Sequence, residues 1–246
     1  MKYYGISDKG KVRIQNQDSI YVPGKNEYNL YIIADGMGGA KAGDVASIKA
    51  IEYIKEYIKN NYVDQGDTKI KEMIRESLIY ANEKVYSLSE ENKEYEGMGT
   101  TVIVVLVYKN KMYIGHIGDS RLYRIRNDFI RKITKDHSYV QKLIDDKTIT
   151  KKEAKDHPRR NMLLKALGCE PIVEPDVMMK KIEPNDYVIL CTDGLTNLVK
   201  DKEILLVTNS LKQTKKICEK LVDLANERGG YDNISVIVIH NDSVEV

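Results

Sequence analysis

Apolar positions change period several times along the chain, and the changes mark out the elements. From Val45 they recur at Ile48, Ile51, Ile54 and Ile58, which predicts one face of a helix. A second helical stretch runs through Ile70, Met73, Ile74, Ser77, Leu78, Ala81, Val85 and Leu88. Strand patterns over 3–7, 19–22 and 30–34 precede both. Residues 101–108 are nearly all β-branched, as suits a strand buried on both faces. Turn residues then punctuate three more strands: Lys109-Asn110 before 112–117, Gly118-Asp119-Ser120 before 121–125, and Asn127-Asp128 before 129–133. Strands at 187–192 and 234–239 complete the set, with a helix over 212–227 between them.

Short turns between successive strands predict antiparallel sheets. Two long amphipathic helices lie together in sequence rather than one after each strand, which argues against a doubly wound parallel sheet. Sheet on sheet inside, with helices outside, covers every apolar face. No repeat or flexible linker divides the chain, so a single domain over 1–246 is expected, with an excursion. Residues 134–168 have that different texture: short helices, few apolar residues, nine Lys/Arg against five Asp/Glu. We read them as a small mobile segment beside the main body; a solvated helix pair without a role fits the same composition.

Composition changes the picture mainly by exclusion. The net charge of +2 over 246 residues is too balanced to argue for nucleic acid. No run of 18 apolar residues suggests a membrane span, and the first residues lack a signal-peptide pattern, so a cytoplasmic protein is expected. Cys169, Cys191 and Cys218 lack metal-ligand spacing and are expected to be free and mostly buried.

The chemistry lies in the acids. The apolar run Y-I-I-A ends in Asp35 followed by Gly36, Y-V-I-L-C-T ends in Asp193 followed by Gly194, and Asp232 stands just before I-S-V-I-V-I. Asp18 also abuts a strand. Taken singly, each Asp-Gly is an ordinary turn signal. Taken together, carboxylates at the ends of buried strands would repel one another unless a cation joined them. Oxygen-only ligands suit a hard ion, Mg2+ or Mn2+. Gly36 leaves its carbonyl free to approach such an ion. Arg13, five residues before Asp18, carries a fork that matches two phosphate oxygens. Asp119 stays open between a hairpin-turn residue and an outer metal ligand. No nucleophile elbow, P-loop or dinucleotide fingerprint competes.

The motifs R-x-x-N-Q-D (13–18), D-G-M-G-G (35–39), G-T-T (99–101), G-H-I-G-D-S-R (115–121), D-H-S (136–138), H-P-R-R-N (157–161), C-T-D-G-L (191–195) and D-N-I-S (232–235) occur in that order. Together they closely resemble the metal-dependent Ser/Thr protein phosphatases of type 2C, the PPM family, especially the compact bacterial members. The resemblance implies an α+β fold, a four-layer αββα sandwich of two central antiparallel sheets flanked by helices, with 134–168 as a flap. It implies two Mn2+ or Mg2+ ions bridged by Asp35, one of them touched by the Gly36 carbonyl, the other completed by Asp193 and Asp232. Asp18 would hold metal-bound water, Asp119 with Asp193 a weaker third ion, and Arg13 the phosphate. It further implies in-line attack of a metal-bridging water on phosphoserine or phosphothreonine in proteins, opposing a bacterial Ser/Thr kinase, by a monomer. The chain departs from relatives that carry a histidine as acid near D-G-M-G-G: Met37 and Ala40 stand at those positions. His137 or a metal-bound water is then left as the acid. Two other readings are a regulatory binding module of the same fold and a hydrolase of small phosphoesters.

Overall fold

The computed structural model describes residues 1–62 and 66–242, the side chains of 39–41 excepted. In chain order come β1 (Lys2–Asp8), β2 (Asp18–Tyr21), β3 (Leu30–Met37), α1 (Gly39–Asn61), α2 (Asp67–Glu91), β4 (Gly99–Tyr108), β5 (Lys111–Ile117), β6 (Arg121–Arg126) and β7 (Phe129–Lys132). Then follow α3 (Tyr139–Asp145), β8 (Asp176–Lys181), β9 (Tyr187–Cys191), α4 (Asp193–Thr196), α5 (Asp201–Leu211), α6 (Thr214–Glu227) and β10 (Ile234–His240). The strands form two five-stranded sheets, β1-β10-β9-β6-β7 and β2-β3-β4-β5-β8, with antiparallel pairing throughout.

The period-2 alternation of the strands sorts their side chains between layers. On β4, Val102, Val104 and Leu106 face the cluster under α1 and α2, while Ile103, Val105 and Val107 face the cluster between the sheets. On β10, Val236 and Val238 face α6, and Ile237 and Ile239 face the other sheet. Three apolar clusters separate four layers, which is the αββα sandwich expected from the residues.

Three details differ from expectation. Ile48 is 46 % exposed, because α1 packs through Ala42, Ala46 and Ala50 together with Ile51, Ile54 and Ile58. The small alanines let the helix approach β3, and that face leaves Ile48 outside. Strand β8 went unpredicted because it is a sheet edge ending in exposed Lys180 and Lys181, without an apolar repeat. Helix α5 was hidden by Ile204-Leu205-Leu206-Val207, which reads as strand although only Ile204 and Thr208 of the helix are buried. The cysteines are free, and Cys191 and Cys218 are buried, but Cys169 is exposed.

Candidate metal centre

Strand register gathers acids that lie far apart in sequence. Asp18 on β2 pairs across from Asp35 on β3, and Asp35 pairs across from Thr101 on β4. In the other sheet β9 ends at Cys191, next to Val236 near the start of β10, so Asp193 and Asp232 flank the same edge. Asp119 follows the end of β5. Asp35, Asp119, Asp193 and Asp232 line one cleft of about 1150 Å3, together with Arg13, and Asp18 is buried behind them.

Neutral hydroxyls and amides hold these acids. Asp18 Oδ2 accepts from the Ser235 hydroxyl at 2.7 Å and the Thr192 hydroxyl at 2.9 Å. Its Oδ1 is buried without a hydrogen-bond partner. The Asp193 carboxylate accepts from Asn197 Nδ2 at 3.0 Å. Thr100 Oγ1 donates to the Asp35 carbonyl at 2.9 Å, and Thr101 Oγ1 accepts from the Asp35 N–H at 3.2 Å. Asn233 ties the Asp232 loop to the N-terminal segment: its Oδ1 accepts from Gln17 N and its Nδ2 donates to the Lys9 and Gln15 carbonyls. Sequence reasoning did not single out Thr192, Ser235, Asn233 or Asn197. Three of the four sit inside the quoted C-T-D-G-L and D-N-I-S motifs, so the signal was there, without a partner to give it meaning.

The electrostatics are those of a site short of positive charge. Burial, then repulsion from Asp18, Asp193, Asp119 and Asp232, holds the Asp35 carboxyl well above the usual carboxylate range. Burial pushes Asp18 up to about 7 despite its two hydroxyl donors. Asp119 also rises to about 7, through burial and then Asp193. Asp193 is raised by burial and by Asp232. Arg13 is the nearest compensation: Nε and Nη2 both donate to the Asp232 carboxylate at 2.8 Å. One guanidinium cannot neutralise five acids. Divalent cations can, and the donors are all oxygen, with the orphaned Asp18 Oδ1 among them, so the residues present fit hard ions.

Backbone crowding explains the two glycines that follow the acids. A Cβ at Gly36 would lie 1.8 Å from the Gly43 carbonyl oxygen, and one at Gly194 would lie 2.0 Å from that of Asn233. Only hydrogen fits at either place.

The histidines are elsewhere. None of the four lines the cleft among the described residues, whereas Met37 does. The Ala40 side chain lies outside the described residues. His137 grips the turn before Asp119: its N–H donates to the Gly118 carbonyl at 2.8 Å, and its Nδ1 accepts from the Gly118 N–H at 3.1 Å. That bond places the ring proton on Nε2, which faces Asp176 at 3.2 Å. His116, His137 and Asp176 do bring ligand atoms within 4.8 Å of one another. His116 Nδ1, His116 Nε2 and His137 Nε2 are buried without a hydrogen-bond partner, and the trio stands apart from the cleft of strand-end acids. Arg121 and Lys132 both pair with Asp136, which anchors the D-H-S segment to β6 and β7.

A family model described as Protein phosphatase 2C matches residues 10–228. The serine/threonine phosphatase stp of Listeria monocytogenes is 34 % identical over 237 residues, covering 96 % of this chain and 94 % of that protein. Among solved structures, the serine/threonine phosphatase Stp1 from Staphylococcus aureus is similar at a TM-score of 0.91 and 32 % identity, covering 100 % of this chain and 95 % of that one. The catalytic domain of the serine threonine protein phosphatase PstP, in complex with two manganese ions, is similar at a TM-score of 0.84 and 33 % identity over 96 % of each chain. With matched length, matched layers and a cleft of strand-end acids, the chain belongs to the protein phosphatase 2C family.

Proposed function

We propose that this cleft hydrolyses phosphoserine and phosphothreonine in proteins, with two Mn2+ or Mg2+ ions held by Asp35, the Gly36 carbonyl, Asp193 and Asp232. Asp18 supports the pair from behind, Asp119 with Asp193 offers a weaker third position, and Arg13 takes the phosphate. The observation that carries this reading is the crowd of acids whose protons are held abnormally tightly, together with a buried oxygen of Asp18 that no protein group satisfies. The manganese pair in the PstP catalytic domain supports it from outside this chain. We further place the enzyme in the cytoplasm as a monomer opposing a Ser/Thr kinase; no helix among the described residues is long and apolar enough to cross a membrane.

When bound, two hard divalent cations supply Lewis acidity, offsetting charge on the phosphoryl oxygens and acidifying water near neutral pH. The chain supplies placement. Thr192 and Ser235 aim Asp18, Asn197 aims Asp193, and the Thr100 and Thr101 hydroxyls fix the backbone on either side of the Asp35 Cα. Arg13 lines the cleft and is held there by Asp232 through Nε and Nη2, and the other edge of its planar guanidinium would meet phosphoryl oxygens. No histidine among the described residues lines the cleft, so we assign the proton for the departing alkoxide to water.

A metal-titrated assay on matched phosphothreonine and phosphotyrosine peptides tests this reading. Turnover is expected to rise with Mn2+, to favour phosphothreonine, and to vanish on chelation. Activity that survives thorough chelation, or none at any Mn2+ concentration, would sink it.

A further inference from the structure

Resting on that reading, we infer that the enzyme selects phosphorylated segments carrying bulky apolar side chains within two residues of the phosphoserine or phosphothreonine. The mouth of the cleft is lined by Val12, Ile14, Leu164 and Ile172, which are 60, 91, 46 and 86 % exposed. The other large apolar side chains that stand in solvent among the described residues lie outside this cleft. Scattered exposed hydrophobes are ordinary, but several around one opening mark a surface meant to be covered.

Covalent geometry says what covers it. Val12 and Ile14 are the chain neighbours of Arg13, and consecutive Cα atoms are about 3.8 Å apart. A phosphate held by Arg13 therefore brings the adjoining residues of the substrate against Val12 or Ile14, at the same spacing along its own chain. Leu164 and Ile172 come from a second stretch of chain that lines the same cleft, where they stand among Lys165, Glu170 and Glu174, so the path beyond the phosphate offers apolar side chains there as well. The cleft is where the phosphorylated residue must enter, and the patch is continuous with it. The occupant is accordingly the substrate polypeptide itself.

The test compares two phosphothreonine peptides of equal charge in Mn2+, one with Leu, Ile or Phe at the two positions on each side, one with Ser or Asn there. The apolar peptide is expected to show kcat/KM higher by roughly tenfold or more, since burying one large aliphatic side chain is worth at least that ratio. In the double variant Ile14→Asn, Ile172→Asn the ratio of the two peptides, taken within that enzyme, is expected to fall below about threefold. Equal use of both peptides by the wild type, or a preference that survives the double variant, overturns the inference. So does a sedimenting dimer whose activity falls as protein concentration rises, which assigns the patch to a second copy. Wild-type protein inert toward p-nitrophenyl phosphate in Mn2+ overturns the phosphatase reading beneath, and that outcome is visible before any peptide is compared.

Discussion

Asp35→Asn is expected to cut turnover of p-nitrophenyl phosphate in saturating Mn2+ by on the order of 1000-fold, the size expected when a group that organises charge at the reacting centre is removed. Asp35 is the acid pressed by the largest set of neighbours, with Asp18, Asp193, Asp119 and Asp232 all acting on it. Asparagine keeps the shape of the protonated acid while removing the charge that would join two cations. The metal-free protein is therefore expected to melt at or above the wild-type temperature, because one source of repulsion has gone. What disappears is the rise in melting temperature on adding Mn2+. Both halves matter. Loss of activity with a collapsed fold would speak only of damage, whereas a stable variant blind to Mn2+ identifies the missing function as ion binding. Retention of more than about a tenth of wild-type activity would remove Asp35 from the centre of the mechanism.

The second large effect is in metal-free stability against pH. Asp18 and Asp119 have folded pKa values near 7, above the ordinary aspartate value, and burial with four neighbouring acids holds Asp35 well above that ordinary value too. A carboxyl with a raised folded pKa binds its proton more tightly in the native state, so its contribution to stability is complete below the unfolded pKa and is lost as pH rises through the folded one. His116, pushed down to about 3 by burial, works in the opposite sense and adds stability as pH rises towards its unfolded value. The two trends separate above about pH 6.5, where unfolded histidine has lost its proton. Between pH 6.5 and 8 the metal-free protein is expected to lose roughly 0.8 kcal/mol for each carboxyl that gives up its proton near pH 7, and up to roughly 2 kcal/mol for one that keeps its proton throughout, which at this size is a fall of a few degrees in Tm. Added Mn2+ takes the place of those protons, so the Tm increment it produces is expected to grow over the same range. Calorimetry of chelated and Mn2+-loaded protein at pH 6.5, 7.2 and 8 measures both. A metal-free Tm that is flat or rising, or an increment that ignores pH, contradicts a cluster held together by shared protons.

Most strands and both long helices were legible because their signal is local. The β-branched run of β4, the helical repeat from Ile70, and Asp beside Gly at a strand end each declare themselves within a dozen residues. The elements that escaped, β8 and α5, are those whose burial depends on a neighbour: an edge strand has no repeat of its own, and α5 buries two residues that nothing in its own pattern distinguishes. Ile48 followed the helical repeat and still points to solvent, because the contact with β3 is set by alanines that a hydrophobicity pattern undervalues.

The same division runs through the site. Asp35, Asp193, Asp232, Asp18 and Asp119 were nameable from residue type and motif order, since those are properties of the chain read end to end. Their partners were not. The hydroxyls that hold Asp18 come from residues 174 and 217 positions away, and the amide that steadies the Asp232 loop reaches back to Gln15, 218 positions earlier. Such pairings exist only once two sheets have stacked and their registers are set. Packing likewise turned His137 onto Gly118 and Asp176, left Asp18 Oδ1 without a partner, and drew Val12, Ile14, Leu164 and Ile172 around one opening. Chemical identity travels with each residue, but a hydrogen bond, a repulsion or an apolar rim is a relation across space.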